Sequence, residues 1–249
     1  MSARRLTSRR GRREAGLFLA EGAQAVGEAL AAGVVHELFA TAQARARNGE
    51  LLGSVEVSEI SPKAAASLSE TVTPQGLVAV CGRLDVSLAE AFAGSPRLIA
   101  VLVDCNDPGN AGTVLRTADA AGADAVIMAG GVDLYGGKTV RATAGSLFHL
   151  PVVIDASVDD VLAAARLARL VSLATSGAGE RDLDELERDG ALRHPTLWLF
   201  GSEAHGLPED VLFASDERVR IPIHGRAESL NLAAAAAVCL YASARAQRR

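Results

Sequence analysis

The apolar residues of this chain switch between two periods, and the switches mark its elements. Leu17–Ala32 opens with a short apolar run and passes, at about Ala23, into helical spacing: a strand, then an amphipathic helix. Val34–Thr41 predicts a second strand and Val55–Ser58 a third. A helix through Lys63–Ser69 follows, and Gly76–Cys81 predicts a strand that closes this part. Leu98–Asp104 differs in kind. It is an unbroken apolar run ending in a carboxylate, as expected of a strand buried on both faces of a parallel sheet. Beyond it the pattern gives a helix from about Asn110 to Ala121 and strands at Ala125–Met128 and Val152–Asp155. A helix at Asp159–Leu167, strands at Val171–Thr175, Leu197–Phe200 and Val219–Ile221, and a last helix from about Ser229 to Arg245 complete it. Strands alternating with helices predict an α/β fold on a largely parallel sheet, preceded by a smaller α/β unit. Arg83–Pro96 ends in Gly94, Ser95 and Pro96 and predicts a linker. The expected division is a basic tail at 1–13, a small domain at 14–82, the linker at 83–96 and a large domain at 97–249.

Composition narrows the class. Of 249 residues, 49% are hydrophobic and 22% charged, which suits a folded soluble domain rather than a disordered chain. Aromatics supply only 4%, so the core must be built mainly from Ala, Val and Leu. No apolar run approaches the roughly 18 residues of a membrane span. No apolar stretch follows the first arginines closely enough to make a secretory signal. The net charge of -5 hides an asymmetry: Arg4, Arg5, Arg9, Arg10, Arg12 and Arg13 crowd the first stretch. Lysine occurs only at Lys63 and Lys138, which leaves few candidates for Schiff-base chemistry. Cys81, Cys105 and Cys239 form no CxxC pair, which argues against a metal site and a disulfide framework and points to a reducing cytoplasm. The five histidines are scattered, without metal-ligand spacing.

Three segments carry chemistry. The first runs from Asp104 through Cys105, Asn106, Asp107, Pro108, Gly109 and Asn110 to Arg116. Asn110 reads as the N-cap of the following helix, Gly112 permits close approach to its first turn, and Cys105 reads as a small core residue. An ordinary strand–turn–helix with a solvated Arg116 accounts for it equally well. The second runs from Phe200 through Gly201, Ser202, Glu203, Ala204, His205 and Gly206 to Pro208. A carboxylate in a Gly-flanked turn at a strand's carboxyl end stands where α/β sheets bind ligands. The third runs from Ile221 through Pro222, His224, Gly225 and Ser229 to Leu230 and Asn231. Ser229 suits an N-cap, whereas Asn231 within a first turn is unexpected. His205 and His224 lie within these loops and are candidate pocket residues.

In this order and spacing the three segments resemble the signature motifs of the SpoU-type (TrmH-type) RNA ribose 2′-O-methyltransferases of the SPOUT superfamily. The run Lys138–Pro151 resembles that family's central segment. The strand Phe18–Gly22, with Pro74-Gln75-Gly76 before the closing strand, resembles its ribosomal-protein-L30e-like substrate-binding domain. The resemblance implies a deep trefoil knot in the large domain, a homodimer, and S-adenosylmethionine bound in the knot. It implies that Gly201, Ile221 and Leu230 hold the cofactor, largely through backbone atoms. It assigns Arg116 the principal catalytic role, with Asn110, Glu203, Ser229 and Asn231 in support, and no metal. The implied activity is methylation of a ribose 2′-hydroxyl in structured RNA, above all ribosomal RNA. On this reading the basic tail contacts RNA phosphate.

Two alternatives remain within the resemblance: a tRNA methyltransferase, and a member that grips RNA without catalysis. A dehydrogenase or sugar-nucleotide enzyme on a Rossmann fold is disfavoured, because no glycine fingerprint follows the first strand of either part.

Overall fold

The computed structural model describes residues 3–53 and 55–248. Met1 and Ser2 of the basic stretch, Ser54 of the small domain and Arg249 of the large one lie outside the described residues. The chain divides into two units, 1–84 with 133–149, and 85–132 with 150–249.

The first unit is built on Leu17–Glu21 (β1), Val35–Ala40 (β2), Ser58–Glu59 (β3) and Leu77–Gly82 (β4). These form one sheet in the order β1-β4-β2-β3, antiparallel except for the short β2–β3 pair. The strand expected at Val55–Ser58 is thus reduced to two residues at the sheet edge, where Val55 stays exposed. Ala23–Ala31 and Pro62–Leu68 are helical, the latter capped by Ser61 with Pro62 in its first turn.

The basic stretch read as a tail is part of this fold. Ala3–Thr7 is a 3-10 turn and Arg9–Ala15 a helix capped by Ser8. Leu6 is buried beside Leu19, Val78 and Val80. Arg12 is buried and forks onto Asp133, with Nε and Nη2 at 3.0 and 2.7 Å from Oδ2, while Nη1 donates to the Leu6 carbonyl at 2.8 Å.

Asp133–His149 was expected to belong to the large domain and instead sits in the first unit. The reasons are specific. Arg141 reaches Glu21 at 3.3 Å, Gln24 donates to the Ala144 carbonyl at 2.8 Å, and His149 meets Glu28 at 3.1 Å. Phe18 lies against the rings of Tyr135 and Phe148 at 4.7 and 6.0 Å.

The second unit carries Leu98–Val103 (β5), Ala125–Ala129 (β6), Val152–Ile154 (β7), Val171–Thr175 (β8), Arg181–Asp182 (β9), Thr196–Phe200 (β10) and Glu217–Arg220 (β11). All pair in parallel, in the order β7-β6-β5-β10-β8-β11-β9. Every residue of β5, β6 and β10 is buried, which is why these strands read as continuous apolar runs. The order reverses beside β5: β6 and β7 extend to one side, β10 and β8 to the other. Such a switch point opens a crevice at the strands' carboxyl ends.

The expected linker is largely structure of this unit. Val86 donates to the Val152 carbonyl at 2.9 Å, and Leu88–Ala91 is a helix with a complete capping box from Ser87 and Glu90. The final helix, Leu232–Gln247, packs on helix Pro108–Ala121 and on β10. Its Ser243 takes the Trp198 Nε1 hydrogen at 2.9 Å inside the core.

Candidate active site

The carboxyl end of β5 turns sharply. Asp104 has a φ of 50°, an uncommon conformation for a residue with a side chain. Asp107, not Asn110, caps the next helix: its Oδ1 accepts from the Asn110 N–H at 2.7 Å. Pro108 occupies the first turn, so the helix begins two residues earlier than the sequence pattern suggested. This releases the Asn110 side chain from capping. Its Nδ2 donates instead to Glu203 Oε1 at 2.8 Å.

Glu203 comes from the turn after β10. That turn is clamped by paired backbone bonds between Ser202 and Gly206, at 3.1 and 2.9 Å. A Cβ on Gly201 would overlap the Gly206–Leu207 peptide, so the glycine is required by the turn's own closure. Burial pushes the Glu203 carboxyl up. Hydrogen bonds from the Asn110 side chain, its own N–H, Cys105 and the Asn106 N–H outweigh that, and hold it below the ordinary carboxylate range.

The third segment supplies Asn231. The last helix starts at Leu232, and Asn231 is its cap: Oδ1 accepts from the N–H groups of Ala233 and Ala234 at 2.9 and 3.4 Å. Its Nδ2 donates to Asn110 Oδ1 at 3.1 Å. Each amide is thereby oriented by the next group along. The helix N–H groups claim Asn231 Oδ1, which turns its Nδ2 to Asn110 and turns the Asn110 Nδ2 to the carboxylate. This one-directional chain ties three separate loops together, and aligned hydrogen bonds of this kind reinforce one another.

Beside it lies a cavity of about 280 Å³, close to the roughly 300 Å³ at which small-molecule pockets begin. Gly201, Glu203, Ile221, Ser229 and Leu230, all named from the sequence, line its wall. Ser229 therefore faces the cavity rather than capping the helix. Arg116 stands apart: it is exposed, forms no hydrogen bond or ion pair with a described residue, and is not among the lining residues. It lies about 9 Å along the helix axis from Asn110. His205 and His224 are exposed and do not line the cavity either.

Sequence reasoning missed two features. Thr175, Ser176 and Gly177, at the carboxyl end of β8, form another wall. Their signal was present as an apolar strand running into a polar Gly-rich turn, as after β5 and β10. Cys105 is buried as expected, but its thiol lies 3.6 Å from Glu203 Oε1. Burial and the nearby carboxylate raise it to about 12, so it is a protonated donor rather than a nucleophile. Among the described residues, no group of three or more His, Cys, Asp or Glu is placed to hold a metal ion. No helix among them is long and apolar enough to cross a membrane.

Comparison with known proteins gives a consistent picture. Residues 97–241 match the SpoU rRNA Methylase family, and residues 1–79 match the MRM3-like substrate binding domain. The 23S rRNA (guanosine(2553)-2′-O)-methyltransferase RlmP of Bacillus subtilis is 34% identical, over 96% of this chain and 92% of its own. The crystal structure of an RNA 2′-O ribose methyltransferase superposes with a TM-score of 0.84 at 34% identity, covering 99% of this chain and 94% of its own. An AdoMet-bound rRNA methyltransferase from Sinorhizobium meliloti superposes with a TM-score of 0.81 at 31% identity, covering 98% and 92%.

Proposed function

The chain belongs to the SpoU rRNA methylase family, and from that premise we propose that it methylates a ribose 2′-hydroxyl of ribosomal RNA, with S-adenosylmethionine as donor. The observation that carries the reading is the Asn231–Asn110–Glu203 chain at the edge of the cavity. It fastens the two cavity-lining loops, after β10 and before the last helix, to the loop after β5 that carries Asn110.

The cavity suits that cofactor. Ile221, Leu230 and Leu232 offer apolar wall, while Glu203 and Glu228 offer negative charge to a cationic ligand. Gly201, Ile221 and Leu230 would hold it. When bound, S-adenosylmethionine supplies a methyl group already activated by positive sulfur. The residues must then place a weak nucleophile, since a ribose hydroxyl is almost fully protonated at neutral pH. Placement alone supplies several kcal/mol. Glu203, kept ionised, fixes the turn, and Ser229 offers a hydroxyl on the cavity wall.

Arg116 serves as an electrostatic group and not as a base, because a guanidinium stays protonated. Exposed and unpaired, it is available to an incoming phosphate. There it holds the RNA backbone and stabilises negative charge developing on the attacking oxygen, whose proton passes to that phosphate.

Similarity along most of the chain to a 23S rRNA methyltransferase favours ribosomal RNA over tRNA. The intact hydrogen-bonded chain favours an enzyme over a non-catalytic binder. The reading also includes a homodimer, a knotted second unit and a cytoplasmic location. Apolar Val238 and Tyr241, each 41% exposed on the last helix, support the first. Three buried free cysteines support the last.

The test is radiolabelled methyl transfer to total RNA, with nuclease digestion to locate the label. The expected label sits on ribose, and Arg116→Ala and Arg116→Lys each lose about a hundredfold in single turnover while binding S-adenosylhomocysteine as wild type does. Label on a base, or a wild-type rate in Arg116→Ala, would refute the mechanism.

A further inference from the structure

The helix Arg9–Ala15 sorts the N-terminal arginines into three sectors, at about 100° per residue. The inward sector holds Gly11, Arg12 and Ala15. Gly11 is there because a Cβ would overlap the Arg5 carbonyl oxygen, and Arg12 is committed to Asp133. A second sector is neutralised. Glu14 takes Arg10 Nε at 2.7 Å on one oxygen and Arg5 Nη2 at 2.9 Å on the other. The third sector holds Arg9 and Arg13, one turn apart on a single face. Both are exposed, and neither side chain forms a hydrogen bond or ion pair with a described residue. Arg4, in the preceding 3-10 turn, is exposed; its carbonyl accepts from Thr7 Oγ1, while its guanidinium has no partner among the described residues.

We infer that Arg4, Arg9 and Arg13 form a phosphate-binding face for the RNA substrate, and that Glu14 limits its strength by withholding Arg5 and Arg10. This rests on the reading of the chain as an RNA methyltransferase. The face is fixed before RNA arrives, because the Arg12–Asp133 fork and the burial of Leu6 beside Leu19, Val78 and Val80 pin its backbone to the first unit. Little ordering entropy is therefore spent on binding, unlike a disordered basic arm. It lies within the stretch that matches a substrate-binding domain. A lasting hold on an anionic membrane is helped by an apolar anchor beside the charges, and Leu6 of this stretch is turned into the core.

The test uses the full chain and a structured fragment of ribosomal RNA, with the dissociation constant measured across salt concentrations. The triple substitution R4Q/R9Q/R13Q is expected to lower the slope of log affinity against log salt by about two to three, and to weaken binding at least about tenfold. R4K/R9K/R13K keeps the charges and should retain the slope, which separates charge from folding. R5Q/R10Q should change the slope by less than about half a unit, and E14Q should steepen it. An unchanged slope in R4Q/R9Q/R13Q, or an equal loss in R5Q/R10Q, would overturn the assignment. Binding to phosphatidylserine vesicles that needs these arginines, with an unchanged RNA slope, would give the face to a membrane instead. Methyl transfer by the wild type is assayed alongside. If RNA is not methylated but the slopes follow this order, the enzyme reading fails and the face stands. If methylation proceeds with unaltered slopes, the face fails and the enzyme reading stands.

Discussion

Asn110 uses both ends of its amide, accepting from Asn231 and donating to Glu203. Asn110→Ala removes the middle link and leaves the carboxylate without its closest side-chain donor. Losing a hydrogen bond to a charged group costs about 1.5–3 kcal/mol. If that stabilisation is felt in the transition state, single-turnover methyl transfer falls roughly ten- to a hundredfold. Glu203 adds a pH signature. Hydrogen bonds favour its ionised form, so its folded pKa lies below the ordinary 4.5. The stabilisation it brings is present above that ordinary value and is lost as pH falls through the lower, folded one. Wild-type activity should therefore persist down through the usual carboxylate range and fail only at more acid pH. Glu203→Gln should lack this acid limb, with a reduced plateau, in a pH–rate profile normalised to the folded fraction. At this scale the sequence was legible for residue type but not for role. Asn110 and Ser229 both looked like caps. Asp107 and Asn231 took those positions, because the backbone turns that decide a cap depend on where the strands end.

Elements carry a different kind of information. Fully buried strands such as β5 and β10 were legible because burial on two faces leaves no polar position to confuse the pattern. Short elements were not: the helix Arg9–Ala15 is mostly arginine, and its place in the fold depends on Asp133, far away in sequence. The Ala-rich last helix was foreseen, but its docking was not. Ser243 is fully buried and takes hydrogens from Trp198 Nε1 at 2.9 Å and Thr196 Oγ1 at 3.2 Å. Ser243→Ala keeps helix propensity and leaves the indole N–H buried without its acceptor. The expected cost is about 1–3 kcal/mol, read as a lower urea midpoint with an unchanged m-value. Because this helix begins at Asn231, weakening its docking should also loosen the site. S-adenosylhomocysteine affinity should drop before global unfolding.

For the molecule as a whole, the sequence showed two parts and a parallel sheet, but not that the units interleave along the chain. The contact between Arg12 and Asp133 joins residues 121 positions apart, and no local period reveals it. The proposed dimer also belongs to this scale. Val238 and Tyr241 lie three residues apart on the last helix and share a face, and Ile223 and Leu230 of the cavity loop are exposed as well. Val238→Glu with Tyr241→Glu places like charges on both sides of a two-fold contact. Light scattering is expected to report a dimer for the wild type and a monomer for the variant. Methyl transfer should be lost with assembly, and a fully active wild-type monomer would refute the arrangement.

The inserted segment 133–149 has a consequence for heredity. A recombination joint placed at the seemingly natural seam before Arg97 would pass on the catalytic gene half with Tyr135, Val140 and Leu147 still in it. These side chains are buried within the unit whose remainder is encoded upstream, and Tyr135 lies against Phe18. The donated half would arrive with an apolar surface uncovered, and the half left behind with Arg12 facing no counter-ion. Trading either half alone would call for compensating changes at these positions, so the two are more readily inherited as one cassette.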